Sequence, residues 1–291
     1  MFKKSLSLLA AAGLLVTLLA GCSGGDSKTS SAPSASSASA AASSKTKITV
    51  EGSTSVTPLM EQLVEEYQKT HSVEIPIQGN GSSAGITAAT EGRAMIGMSS
   101  RELKAEEKTA LTETTIALDG IAVVTHKNNT VSDLSVDQIS KIFKGEIKNW
   151  SEVGGPSKPI VVVCREAGSG TRSAFEELMK LQEKSGDKTI SLISTNASIV
   201  DSNGAMKSSV AGNENAIGFM SLGSVDETVS KVKVDGQEAT DQAIQEGKYK
   251  ISRPFLLLTK GEPTGAVKEF IDFIKSAEGQ KIVSQNYITV Q

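Results

Sequence analysis

The amino-acid sequence predicts an α/β protein of two lobes with a cleft between them, and three observations predict it. Strand-like apolar runs alternate with segments of helical periodicity from about residue 47 onward. Successive strand ends deliver glycine- and hydroxyl-rich turns into helices. Two apolar crossings, near residue 120 and near residue 253, stand where a chain that leaves one lobe and later returns to it would form a double hinge. At 291 residues the chain accommodates one large domain or two smaller ones, each big enough to bury a core. Its formal net charge of -3 argues against non-specific nucleic-acid binding, so no nucleic-acid partner is expected.

The N-terminus reads as a processed segment. Lys3 and Lys4 precede an apolar run over residues 6–20, short for a bilayer span and right for the core of a secretory signal. It ends in Leu19-Ala20-Gly21-Cys22, which resembles the lipobox of bacterial lipoproteins; an ordinary signal peptide with a chance cysteine is the plainer alternative. The resemblance implies a signal peptide over residues 1–21 and lipidation of Cys22, each buried CH₂ of an acyl chain contributing about 0.8 kcal/mol of membrane affinity. Residues 22–45, mostly Ser and Ala, cannot bury enough apolar surface to offset chain entropy and read as a tether.

With Cys22 lipidated, Cys164 has no partner for a disulfide, and at the end of the apolar run 160–163 it reads as a small buried residue. A nucleophile would need a base, and the two histidines, His71 after a helix and His126 at a strand end, are set beside one by no motif. No HExxH, CxxC or carboxylate cluster of metal-ligand spacing occurs, so no metal or cofactor is expected.

The folded part begins with a strand over 47–50 that runs into Glu51-Gly52-Ser53-Thr54-Ser55. Val56, Leu59, Met60, Leu63, Val64 and Tyr67 then recur at helical spacing, with Pro58 in the first turn. One of the three hydroxyls would cap this helix, while three in a row also suit an anion. Residues 73–78 form a strand made irregular by Pro76 and lead to Gly79-Asn80-Gly81-Ser82-Ser83-Ala84-Gly85. Residues 94–98 form another that delivers Ser99-Ser100-Arg101. In an open parallel sheet these ends share one edge, where ligands bind. A strand over 116–125 follows, interrupted by Asp119-Gly120. Then come a helix over 136–143, the segment 145–150, a strand over 160–164, a helix start at Asp201-Ser202-Asn203-Gly204-Ala205, strands over 216–220 and 253–258, and closing helices over 266–274 and 281–285.

The most informative stretch is Arg165-Glu166-Ala167-Gly168-Ser169-Gly170-Thr171-Arg172, which follows an apolar strand and opens a helix. A glycine-rich turn there offers unpaired N–H groups and the positive end of the helix dipole, bracketed by two arginines, and suits a tetrahedral oxyanion. By itself it fits a receptor, a phosphatase or a nucleotide site. Gly168-Ser169-Gly170 lacks the GxSxG frame of a hydrolase, and no GxxxxGK[ST] occurs.

From Lys47 to the C-terminus the chain resembles the phosphate-binding proteins of bacterial phosphate ABC importers. The resemblance is carried by Gly52-Ser53-Thr54-Ser55, Gly81-Ser82-Ser83-Ala84-Gly85, Gly97-Met98-Ser99-Ser100, residues 145–150, the run from Arg165 to Thr171, and Asn215-Ala216-Ile217-Gly218-Phe219. It implies a two-lobed periplasmic-binding-protein fold: two mixed-sheet α/β domains joined by a double-crossover hinge, residues 46–120 with 254–291 as one lobe and 121–253 as the other. It also implies a non-enzymatic, high-affinity receptor for inorganic phosphate, lipid-anchored on the extracytoplasmic face of the cell membrane. Its partners would be the transmembrane permease subunits and ATP-binding subunit of the importer. Receptors for sulfate or molybdate are the competing reading, a phosphatase a more distant one.

Residue by residue, the resemblance makes Thr54, Ser55 and Ser82 donors from the first lobe. Arg165 pairs with the anion, and Ser169, Gly170 and Thr171 donate from the second lobe. One position departs: Ser100 stands where well-known members have an aspartate, whose carboxylate accepts the proton of hydrogen phosphate and repels sulfate. A serine hydroxyl accepts too, yet can equally donate. Asp119 is the candidate replacement acceptor, a turn or bulge at Asp119-Gly120 being the other reading. Arg101 would either add charge beside Ser100 or lie solvated on the surface.

Overall fold

The structure, a computed structural model, describes residues 45–186 and 188–290. The expected signal peptide, Cys22 and all but the last residue of the tether lie outside them. The first strand is split into β1 (Thr46–Lys47) and β2 (Val50–Gly52). In α1 (Thr57–Gln68) the residues at helical spacing, Leu59, Met60, Leu63, Val64 and Tyr67, form the buried face. β3 (Val73–Glu74) and β4 (Ile77–Gly79) flank Pro76, which has no N–H to give a ladder. α2 (Ser82–Glu91), β5 (Ile96–Ser99) and the single turn α3 (Ala105–Lys108) follow. α2 lies so close to the sheet that a Cβ on Gly85 would stand 2.6 Å from Gly52 Cα and 2.8 Å from Met98 O, so only glycine fits there.

β6 (Thr112–His126) leads to β7 (Asp133–Leu134) and α4 (Val136–Lys144). A capping box starts α4: Ser135 Oγ accepts from the Gln138 N–H while the Gln138 side chain accepts from the Ser135 N–H. Then come β8 (Val161–Arg165), α5 (Gly170–Leu178), the hairpin β9 (Gln182–Ser185) and β10 (Lys188–Ser191), β11 (Ser198–Val200) and α6 (Asn203–Ala211). β12 (Ala216–Ser221), β13 (Val229–Val234) and α7 (Asp241–Gln245) precede β14 (Ser252–Thr259), α8 (Gly265–Lys275) and α9 (Ala277–Val283). α9 begins ahead of the expected residue 281 because Ser276 Oγ caps it, accepting from the Gly279 N–H. β7, the β9–β10 hairpin, β11, β13 and α7 add to the expected elements.

One mixed sheet of ten strands runs β11-β8-β12-β6-β14-β5-β2-β4, with β13 and β7 attached beside β6. β2 is parallel to β4 and β5, and β8 is parallel to β11 and β12. The joints between these groups are antiparallel: β14 with β5 and β6, β12 with β6. β6 therefore serves both sides, its positions 112–120 facing β14 and 121–125 facing β12. The register runs unbroken through Asp119 and Gly120 and shifts instead between Phe255 and Leu256, so no turn or bulge interrupts the strand at Asp119-Gly120.

Two large apolar clusters lie on either side of this junction. One gathers Ile48, Leu59, Leu63, Met98, Phe255 and Phe270; the other gathers Val123, Phe143, Trp150, Phe175, Phe219 and Tyr249. In the second, Phe219 stacks on Phe175 at 4.0 Å between ring centroids, and Phe143 meets Phe175 edge-on at 5.0 Å. Among the described residues no helix is long and apolar enough to cross a membrane. Phe219→Ala leaves a cavity in this stack and is expected to lower stability by about 3–5 kcal/mol in urea denaturation.

Candidate functional site

The parallel strands aim their C-terminal ends at one place. β2 hands on Ser53, Thr54 and Ser55; β4 leads to Ser82 at the start of α2; β5 leads to Ser100. From the other side β8 ends in Arg165 ahead of α5, and the segment after β11 brings Asn203 at the start of α6. Hydroxyls from both sides interlock. Ser55 Oγ lies 2.8 Å from Thr171 Oγ1, Ser53 Oγ donates to Ser100 Oγ at 2.8 Å, and Ser100 Oγ lies 3.3 Å from Ser82 Oγ and 3.4 Å from Thr171 Oγ1. A backbone bond from the Ser83 N–H to Gly168 O, 3.1 Å, closes the approach. Ser55, Ser82, Ser100, Arg165, Ser169, Gly170 and Thr171 are buried and Thr54 is half-buried. The structure thus brings Ser55, Ser82, Ser100 and Thr171, from four different loops, within hydrogen-bond distance of one another, with Ser169 and Gly170 at the start of the same helix as Thr171.

Arg165 is fixed from three directions. Its Nε and Nη2 donate to the two carboxylate oxygens of Glu166, each at 2.9 Å, and Nη2 also donates to Thr54 Oγ1 at 3.0 Å and Asp201 O at 3.1 Å. Its Nη1 is buried without a hydrogen-bond partner among the described residues. An unspent guanidinium N–H beside buried hydroxyls and the first turn of α5 meets the requirements for holding a tetrahedral oxyanion.

Asp119 stands apart from the other predicted residues. Oδ2 accepts from Ser221 Oγ at 2.6 Å and from Arg253 Nη1, and Oδ1 accepts from the Gly223 N–H at 3.3 Å. Arg253 in turn donates through Nη2 to Thr171 Oγ1 at 3.0 Å, so Asp119 reaches the hydroxyl group through Arg253. Burial pushes the Asp119 carboxyl up from its ordinary value, against the pull of the guanidinium.

Three further expectations change. Arg172 turns away from the loop it brackets, pairing with Glu176 at 2.7 Å and donating to Arg165 O at 2.8 Å, so of the two bracketing arginines only Arg165 faces the hydroxyls. Arg101 is neither solvated nor bonded to the cluster: its guanidinium forks onto Glu107 at 2.7 and 2.8 Å. None of the Ser53, Thr54 or Ser55 hydroxyls caps α1, which leaves them to the cleft. Cys164 is buried as expected, its thiol pushed up to about 11 by burial. His71 stacks on Tyr67 at 3.8 Å and His126 Nδ1 accepts from the Asn128 N–H, so neither is bonded to a serine or cysteine. Among the described residues no group of three or more metal-ligating side chains gathers.

The chain matches the PBP superfamily domain over residues 37–278. It is 32% identical to the phosphate-binding protein PstS of Bacillus subtilis over 99% of this chain and 94% of that one. The chain belongs to the PstS phosphate-binding protein family. Solved structures agree. A Clostridium perfringens protein assigned as the substrate-binding component of a phosphate ABC transporter, with phosphate bound, is 50% identical, with a TM-score of 0.79 over 84% of this chain and all of that one. An ABC-type phosphate transport receptor from Vibrio cholerae is 40% identical, with a TM-score of 0.71 over 84% of this chain and all of that one. The fold is therefore the α/β periplasmic-binding-protein fold with mixed parallel and antiparallel pairing.

Within this family member, sequence reasoning gave no individual role to Ser53, Asn203 or Arg253. Arg253 had a signal: it is one of two charges, with Asp119, that interrupt apolar crossings, and opposite charges in two such runs are natural partners. Removing one partner of this buried pair leaves the other uncompensated. Asp119→Asn is expected to destabilise the protein by about 3–5 kcal/mol in urea denaturation, whereas Asp119→Leu with Arg253→Met recovers most of that loss.

Proposed function

We propose that this chain is an extracytoplasmic receptor that captures inorganic phosphate between its two halves and delivers it to the permease of a phosphate ABC importer. The observation that carries the reading is the buried Nη1 of Arg165, without a hydrogen-bond partner among the described residues, on a guanidinium whose Nη2 reaches Thr54 Oγ1. The printed descriptions of the Bacillus subtilis, Clostridium perfringens and Vibrio cholerae relatives support it. Thr54, Ser55, Ser82 and Ser100 donate from one lobe, residues 46–120 with 254–291. Arg165, Ser169, Gly170 and Thr171 donate from the other, residues 121–253, while Asp119 acts through Arg253. The lobes turn about the crossings near residues 120 and 253, and ligand bridging both holds the cleft shut. Ser169 Oγ caps α5, accepting from the Arg172 N–H at 3.2 Å, and is hydrogen-bonded to no base among the described residues, which favours a receptor over a phosphatase.

A lipid on Cys22 and a tether over residues 22–45 would hold the receptor on the outer face of the cell membrane, next to the permease and ATP-binding subunits. Cys22→Ser is expected to move the protein from the membrane fraction to the medium or soluble fraction on cell fractionation; unchanged membrane retention would overturn the anchor.

Isothermal titration with phosphate, sulfate and molybdate tests the ligand, and stronger binding of sulfate or molybdate than of phosphate would overturn it. Arg165→Met removes charge-assisted bonds of about 1.5–3 kcal/mol each and is expected to weaken phosphate binding by roughly a hundredfold or more. Gly170→Ala acts sterically, because a Cβ there would stand 2.8 Å from Ser82 Cβ and 2.9 Å from Ser100 Oγ across the cleft. It is expected to lower affinity while leaving the unfolding midpoint without ligand nearly unchanged.

A further inference from the structure

Helix α2 begins without a side-chain cap of its own. Its N-cap residue is Gly81, which has no side chain to accept from the first turn, so the N–H groups there need partners from elsewhere. The Ser83 N–H, on the second residue of the helix, finds one across the cleft. It donates to Gly168 O, in the loop ahead of α5, at 3.1 Å. Apart from the paired crossings of β6 and β14, this is the only backbone–backbone hydrogen bond among the described residues that joins residues 46–120 and 254–291 to residues 121–253.

The backbone is shaped for this approach. Gly81 has a φ of 101°, in the left-handed region that favours glycine, and a Cβ there would stand 3.1 Å from Gly168 O and 3.5 Å from Glu166 Oε1. With only a hydrogen at that place, the Gly168 carbonyl and the Glu166 carboxylate come up to the positive end of α2, where negative charge is stabilised. The Ser169 N–H donates to Glu166 O at 3.1 Å and closes the turn that presents Gly168.

Both partners of the Ser83–Gly168 bond are main-chain groups, and neither belongs to a residue assigned above to the ligand. The bond therefore forms from the chain alone. Ser55, Ser82, Ser100, Arg165 and Thr171 are buried, so an anion held among them leaves only when the lobes part. Parting breaks the bond and takes from the Ser83 N–H its acceptor in the opposite lobe.

We propose that Gly168 O caps α2 from the opposite lobe, and that this bond is a latch at the rim of the cleft that needs no ligand and slows the release of a captured anion. The inference rests on the receptor reading above and adds to it a contact that governs how long the ligand stays.

Stopped-flow measurement of phosphate release tests the latch, with Ser83→Pro compared against Ser83→Ala. Alanine keeps the N–H. Proline removes it and sets a ring carbon where the hydrogen pointed, at the second helical position, which Pro58 already occupies in α1. Release from the proline variant is expected to be at least about threefold faster than from the alanine variant; a smaller difference would overturn the latch. Repeating the pair in a Ser82→Ala background separates the latch from a shift of the neighbouring hydroxyl. The acceleration by proline persists if the rim bond is its cause, and its disappearance would overturn the inference. The unaltered chain gives a measurement that does not depend on the proline variant folding. With phosphate bound, NMR is expected to detect a scalar coupling across the hydrogen bond between the nitrogen of Ser83 and the carbonyl carbon of Gly168, and its absence would overturn the inference. Phosphate binding with equal release from both variants sinks the latch alone, whereas an unaltered chain that binds no phosphate sinks the receptor reading and the latch with it.

Discussion

Asp119 and Arg253 face each other across the paired strands β6 and β14, at the position where the sheet passes from one apolar cluster to the other. Both are buried, and taking two charges out of water costs several kcal/mol per ion unless every remaining donor and acceptor is engaged. Here most are: Arg253 Nη1 also meets the carbonyls of Asp119 and Gly120, and Asp119 meets Ser221 and the Gly223 N–H. The pair fixes the alignment of the two crossings, which in turn sets where β12 ends and where Thr171 stands. A slip of one residue between β6 and β14 would place Asp119 and Arg253 on opposite faces and leave two buried charges unpaired.

Much of the site was legible in the sequence because it lies at strand ends, where turn chemistry is local. Gly52 to Ser55, Gly81 to Ser82 and Arg165 to Thr171 each combine a glycine with a hydroxyl just ahead of a helical period, and all three face the cleft. The partners behind the hydroxyls were less legible. Asn203 lies 148 positions from Ser55, and Arg253 lies 82 positions from Thr171, so no local pattern connects them. Propensity also misled at two points. Asp119-Gly120 has the composition of a turn, yet a cross-strand arginine holds it in an unbroken strand. A serine-rich start to α1 has the composition of a cap, yet Val56 and Thr57 are satisfied by the carbonyl of Ser53 instead.

The cleft gathers charge sparingly. Of the two arginines that reach its hydroxyls, Arg165 is paired with Glu166 and Arg253 with Asp119, and the remaining donors are neutral hydroxyls and amides. Neutral donors are cheaper to bury than charges and lose less when desolvated.

The cluster that contains Ile48, Leu59 and Met98 also contains Phe255, Phe270 and Tyr287, whereas the cluster around Phe175 and Phe219 draws almost entirely on residues between 121 and 251. Order of synthesis and order of completion are therefore inverted. The segment that leaves the ribosome first must wait for the last forty or so residues before its core can close, while the inserted middle portion has its own core available earlier.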